Sequence, residues 1–163
     1  MGLGDCTLYD RLKFVRQEAG LGPDAHDTAY GLDPAETIRY LRSSASAIDL
    51  LNQEHQIYHC DIKPQNILLV GGEAQVCDFG LAKQMEGDMR QTQHAFATPA
   101  YAPPEVLHNE GYSRQVDQYS LAVTYYELRT GLLPFDVTTH ASMLVAKSMG
   151  KLNLDALTPA ERK

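Results

Sequence analysis

Between His59 and Gly80 the sequence sets two polar segments at the ends of one short hairpin. His59-Cys60-Asp61-Ile62-Lys63-Pro64-Gln65-Asn66 comes first, and Pro64 forbids a helix continuing through it. Ile67-Leu68-Leu69-Val70 then predicts a strand, Gly71-Gly72 a turn, and Ala74–Cys77 the returning strand. A hairpin carries the chain out and back, so Asn66 and Asp78 become neighbours at its open end. An acid, a lysine and an amide at these spacings suit phosphoryl transfer. Asp61 is the carboxylate to receive a hydroxyl proton, and Asp78 with the Asn66 amide oxygen would hold Mg2+ on a nucleotide. Mg2+ favours such hard oxygen ligands and keeps several waters beside substrate phosphates.

The segments around this hairpin read as helices. Leu8, Leu12 and Val15 recur at helical spacing behind Thr7 as N-cap, and Gly20 stops the run. Gly2-Leu3-Gly4 is a turn and no phosphate loop, because Thr7 holds the place of a third glycine. Residues 21–32 carry turn chemistry without a period, and His26 is solvated there. Asp33-Pro34-Ala35-Glu36 predicts a helix start with Asp33 as cap and Glu36 closing a capping box. Ile38, Leu41, Ala45, Ile48 and Leu51 continue it as a core-facing stripe to about Gln53.

Residues 81–98 show no sustained period and read as a long loop, stiffened at its end by Pro99, Pro103 and Pro104. A short helix runs from there to about His108. Val116 to Leu128 is apolar almost all round, the mark of a helix buried at the centre of a domain, and Gly131 ends it. A last clear helix spans about His140–Met149, and Thr158-Pro159-Ala160-Glu161 begins another element. The expected fold is mainly α with a small β-hairpin.

Bulk properties narrow the partners. The 163 residues make about one domain. A net charge of −7 without a Lys/Arg cluster argues against nucleic acid. Cys6, Cys60 and Cys77 are odd in number and widely spaced, which reads as free thiols in a reducing, cytoplasmic compartment. No apolar run approaches the ~20 residues of a membrane-crossing helix, and Met1–Asp5 does not begin a signal peptide.

In these motifs, taken in order, the chain resembles the C-terminal lobe of a eukaryotic-type serine/threonine protein kinase. His59–Asn66 is similar to the catalytic loop and Asp78-Phe79-Gly80 to the magnesium motif. Thr98-Pro99-Ala100-Tyr101 resembles the substrate-facing loop, and Pro103-Pro104-Glu105 stands where the family has Ala-Pro-Glu. Asp117-Gln118-Tyr119-Ser120 resembles Asp-x-Trp-Ser at the head of the buried helix. The resemblance implies ATP and Mg2+ as cofactors and a protein Ser/Thr hydroxyl as acceptor. It implies Asp61 as the base, Lys63 as the charge neutraliser and Thr98 as a hydrogen-bonding partner of both, with Asn66 and Asp78 as Mg2+ ligands. Leu68 would lie under adenine and Leu3 would offer it a backbone contact. His59, Phe79, Glu105 and Asp117 are implied as structural supports.

Departures from the family pattern are as informative. No Gly-x-Gly-x-x-Gly loop precedes a strand lysine, and Lys13 is the only lysine before Lys63. The expectation is a partial domain with its N-terminal β-lobe missing: residues 1–6 as hinge and 7–163 as helical lobe, ending before its last helices. Such a chain is expected to transfer phosphate weakly or not at all. The region that would supply the arginine partner of Glu105 is not reached, so that carboxylate is expected to be buried and unpaired. Cys60 takes the place of the arginine that receives an activation-loop phosphate in many relatives, which leaves Thr92 without a receptor. Cys77 should lie at the back of the nucleotide site as a buried, inert thiol.

Two other functions remain open: a non-catalytic scaffold of kinase ancestry that binds a partner protein, and a small-molecule phosphotransferase. Asp61, Lys63, Asn66 and Asp78 together argue against the first; Lys63, Thr98–Glu105 and Asp117–Ser120 argue against the second.

Overall fold

Helix α1 (Leu8–Glu18) begins at a reciprocal cap. The Thr7 hydroxyl accepts from the Asp10 amide at 3.1 Å, and the Asp10 carboxylate accepts from the Thr7 amide at 3.2 Å. The computed structural model describes residues 6–22, 25, 28–84, 98–135 and 139–162. The expected roles of Leu3, His26 and Thr92 therefore lie outside the described residues, as does most of the expected hinge.

Near its end α1 carries a charge that periodicity alone did not single out. Arg16 is buried, and its guanidinium donates to the carbonyls of Ala25, Thr28 and Tyr30 at 2.5, 3.2 and 2.7 Å. These bonds satisfy the buried charge and organise the turn-rich segment that follows.

Helix α2 (Pro34–Glu54) starts as expected, with the Asp33 carboxylate accepting from the Ala35 and Glu36 amides at 2.9 and 3.3 Å. The expected capping box is not formed. Glu36 turns away to accept from Arg11 of α1 at 2.9 Å and from the Tyr40 hydroxyl at 2.9 Å. A charge-assisted bond to a guanidinium is stronger than one to a backbone amide.

The buried stripe also differs, running through Thr37, Tyr40, Leu41, Ser44 and Ile48 and leaving Ile38 48% exposed. Thr37 and Ser44 can be buried because their hydroxyls donate to carbonyls one turn back, Asp33 at 2.9 Å and Tyr40 at 3.0 Å. Counting apolar residues alone mistakes the face by about one position.

The hairpin forms from β3 (Ile67–Val70) and β4 (Glu73–Val76), one residue earlier on the return than expected. Gly71 and Gly72 both hold positive φ, 59° and 88°, as the tight two-residue turn requires. Ile67 faces Val76 and Val70 faces Glu73, and β1 (Cys6–Thr7) pairs on the other side of β3. Ile67, Leu69 and Ala74 point into the main core with Leu8, Leu12 and Ile48. The loop expected after residue 80 is interrupted by structure. A short 3-10 turn spans Phe79–Leu81, and β5 (Lys83–Gln84) pairs antiparallel with β2 (Ile57–Tyr58).

Helix α3 (Pro104–Leu107) is short, and α4 (Val116–Thr130) is the central helix, with Gln118 and Ala122 its exposed positions. Gly131 ends α4 in the left-handed conformation. Helix α5 (His140–Ser148) starts on a Thr139–Ser142 capping box. Residues 158–161 form a turn and no longer element. Glu161 closes that turn onto α4, accepting from Arg129 at 2.7 Å and Tyr125 at 2.8 Å, and Arg129 pulls its carboxyl down to about 2. No helix among the described residues is long and apolar enough to cross a membrane.

Candidate active site

The site hangs from the first turn of α4. Asp117 is fully buried, and its two oxygens each accept one backbone amide, His59 and Cys60, both at 2.8 Å. Burial pushes the Asp117 carboxyl up, against the pull of those two amides. Cys60 is held at φ 65°, a conformation side chains seldom adopt, and its thiol, buried beside Asp117, is pushed up to about 12. It is packed with Tyr58, Tyr112 and Val116.

His59 braces the loop on its other side. The Asp61 amide can only donate, so at 3.3 Å the His59 Nδ1 is the acceptor, and Nε2 carries the proton to the Cys77 carbonyl at 2.9 Å. The Phe79 ring lies against the His59 ring at 4.9 Å, although Phe79 is half exposed.

With the loop fixed at both ends, Asp61 becomes the hub. One carboxylate oxygen accepts from the Thr98 amide at 3.2 Å and the Thr98 hydroxyl at 2.7 Å. The other accepts from Lys63 Nζ at 2.6 Å and Asn66 Nδ2 at 2.9 Å. Lys63 also donates to the Thr98 hydroxyl at 2.7 Å. Burial acts to raise the Asp61 pKa, but the bonds from Lys63 and Thr98 outweigh it and hold the carboxyl below its ordinary range. Asp61 is therefore an ionised acceptor at neutral pH.

Pro64 sits at the first position of a 3-10 turn, Pro64–Asn66, that aims Asn66 back at Asp61. Both Asn66 amide protons are committed, to the Asp61 carbonyl and carboxylate at 2.9 Å each, which leaves Oδ1 as the atom to face a cation. The Cys77 amide donates to the Asn66 carbonyl at 2.9 Å, extending the hairpin ladder and bringing Asp78 to the same end. Asp78 is exposed at φ 62°, its carboxylate accepting from the Gly80 amide at 3.3 Å.

A family model described as the protein kinase domain matches residues 18–161. The chain belongs to the protein kinase family. It is 38% identical over 93 residues to MAP kinase kinase mkk-4 of Caenorhabditis elegans, covering 56% of this chain and 26% of that protein. To serine/threonine-protein kinase YPK2/YKR2 of Saccharomyces cerevisiae it is 40% identical over 97 residues, 59% of this chain and 14% of the relative. To human serine/threonine-protein kinase D2 the identity is 40% over 84 residues, 49% of this chain and 10% of the relative. These matches span about a quarter or less of each relative's length.

Within this kinase chain the donor set fits the family's metal. No cluster of three or more His, Cys, Asp or Glu occurs among the described residues that could hold an ion by itself. One amide oxygen and one exposed carboxylate suit Mg2+, which completes its shell with water and phosphate oxygens. Leu68 is half-buried on β3, opposite Gln75 and Thr7.

Two expectations need correction. Glu105 is neither fully buried nor unpaired, because the Ser113 hydroxyl donates to it at 2.8 Å from the turn before α4. Cys77 is half-buried, with burial the main cause of a raised thiol pKa.

Tyr101, quoted in the sequence as part of the substrate-facing loop, has a partner that local pattern does not reveal. Its hydroxyl donates to Glu127 of α4 at 2.5 Å, and its carbonyl accepts from Ser120 at 3.0 Å. Burial pushes the Glu127 carboxyl up to about 7 from an ordinary 4.5, against the downward pull of the Tyr101 bond. A folded pKa above the unfolded one means stability present in full below about 4.5 and lost as pH rises through about 7. The gap is worth at most about 3 kcal/mol. Glu127→Gln keeps an acceptor for Tyr101 and removes the ionisation. It is expected to stabilise the protein at pH 8 and to have little effect at pH 4.5, as read by urea titration at both pH values. Equal changes at the two would contradict the assignment.

Proposed function

We propose that this chain forms the catalytic floor of a serine/threonine protein kinase, transferring the γ-phosphate of ATP to a protein hydroxyl. The observation that supports this best is the Asp61 carboxylate, held by Lys63, Asn66 and Thr98 from three separate positions in the chain. Asp61 accepts the proton of the incoming hydroxyl and aims its oxygen. Lys63, already paired with Asp61 at 2.6 Å, sets a positive charge where the transferred group would gain negative charge. Thr98 ties the substrate-facing segment to both. Asn66 Oδ1 and Asp78 would hold Mg2+, which when bound neutralises charge on the nucleotide phosphates. Leu68 would contact adenine from below and Leu3 through its backbone, with residues 1–6 as hinge. The three free thiols fit a reducing cellular compartment.

Phosphotransfer from γ-labelled ATP to a generic Ser/Thr substrate protein, wild type beside Asp61→Asn, tests the reading. The expected result is weak, Mg2+-dependent transfer that falls by about 10²-fold or more in the variant. Transfer of equal speed in both, or none in either with Mg2+ and ATP present, would favour the scaffold instead.

A further inference from the structure

Lys147 lies on α5 and is only 5% exposed. Its Nζ donates to the carbonyls of Pro99, Ala100 and Ala102 at 2.8, 2.9 and 2.6 Å. An ammonium has three N–H donors, and all three are used; a neutral amine has two and would leave one carbonyl unserved. The Phe135 and Tyr119 rings flank the charge, their centroids 4.5 and 5.4 Å from Nζ. No carboxylate lies within ion-pairing distance of it among the described residues. Burial pushes the amine down to about 7, while the three carbonyl dipoles act the other way and favour the charged form.

Burying an ammonium without an acid is expensive, and Met143 one turn earlier on the same face shows that an apolar residue packs there. The reason for a lysine lies in the segment it grips. Residues 98–102 form a tight turn in which the Tyr101 and Ala102 amides both donate to the Thr98 carbonyl, at 2.9 and 3.2 Å. The carbonyls of 99, 100 and 102 then converge toward α5 and need a donor from outside the turn. Tyr101 is fixed by Glu127 and Ser120 from α4, so α5 supplies the other side. At the head of this turn stands Thr98, whose hydroxyl joins Asp61 to Lys63.

We propose that Lys147 is a positioning residue for phosphoryl transfer: its ammonium clamps residues 99–102 so that Thr98 keeps its bonds to Asp61 and Lys63. This rests on the kinase reading above. The charge acts at a distance from the reacting atoms, through the backbone of one turn.

The test compares wild type, Lys147→Met, Thr98→Val and the double variant. Lys147→Met is expected to lower kcat by about 10-fold or more with KM for ATP little changed. In the Thr98→Val background the same substitution should cost about threefold or less, because the hydroxyl bonds are gone and only the Thr98 amide bond to Asp61 is left to position. An equal loss in both backgrounds, or no loss in the first, overturns the proposal. Amide hydrogen exchange at Tyr101 and Ala102 reads the clamp without any turnover. Exchange about 10-fold faster in Lys147→Met is expected, and unchanged protection overturns the clamp even if the wild type transfers phosphate. Wild type with no transfer but a lysine-dependent clamp would instead count against the kinase reading alone. Should Lys147→Met fail to fold, Lys147→Gln, which keeps two N–H donors, carries the same comparisons.

Discussion

Asp117→Ala is expected to destabilise the protein by about 3–5 kcal/mol, a large part of the roughly 5–15 kcal/mol that holds a typical domain together. The carboxylate is the acceptor for two buried amides, His59 and Cys60. Each amide left without a partner costs about 1–3 kcal/mol. Cys60 adds to this, since its φ of 65° is held in place by that bond. Relief of a buried carboxylate whose pKa is raised offsets part of the loss, which keeps the figure below the simple sum. Asp117→Asn should fall between, because its amide group can accept only one of the two N–H bonds. Urea unfolding would show the midpoint moving with little change in slope. A loss under about 1 kcal/mol for the alanine variant would mean that the loop does not hang from α4.

Gly31→Ala is expected to cost about 2–4 kcal/mol, although Gly31 does not occupy a conformation reserved for glycine. The obstacle is space. An added Cβ would meet the Leu128 carbonyl oxygen and the Arg129 backbone carbonyl, all closer than 3.0 Å. Neither side can retreat easily. The Tyr30 amide donates to the Thr130 carbonyl and the Leu32 amide to the Leu128 carbonyl, both at 2.7 Å, and Arg129 donates to the Leu32 carbonyl. The two amide bonds satisfy carbonyls that the end of α4 would otherwise leave open. Gly20→Ala is the control: φ is 77° there, but nothing lies within 4 Å of the new methyl group. It should cost about 1–2 kcal/mol from backbone strain alone. Thermal unfolding of the two variants, compared side by side, checks the ordering; a smaller effect at Gly31 would contradict it.

The parts of this fold readable in the sequence are those written by neighbours a few residues apart. Thr7, Asp33 with Pro34, Gly71-Gly72 and Gly131 each act on backbone within one turn, and each sits where its local rule places it. The His59–Asn66 motif stands out for the same reason, and the hairpin then brought Asn66 to Cys77 and Asp78 to its open end. What escaped depends on distant partners. Glu36 was free to cap its own helix until Arg11 arrived from another one. Thr37 looks polar until its hydroxyl bonds to its own backbone, and Arg16 and Lys147 look like surface charges until loop carbonyls gather around them. The two-residue strand β5 is too short to show any alternation, so its pairing with β2 had no signal.

The hairpin that brings Asn66 and Asp78 together also separates them from its own tip. Five residue steps of extended chain put Gly71 about 16 Å from Asn66, and an added Cβ at either glycine meets nothing within 4 Å. Extra chain at such a tip costs little, about 0.6 kcal/mol for each doubling of loop length, and the ladder below it keeps its register. That makes the tip a natural attachment point for a fluorophore, an epitope or a surface tether, one that leaves the candidate site at the far end undisturbed.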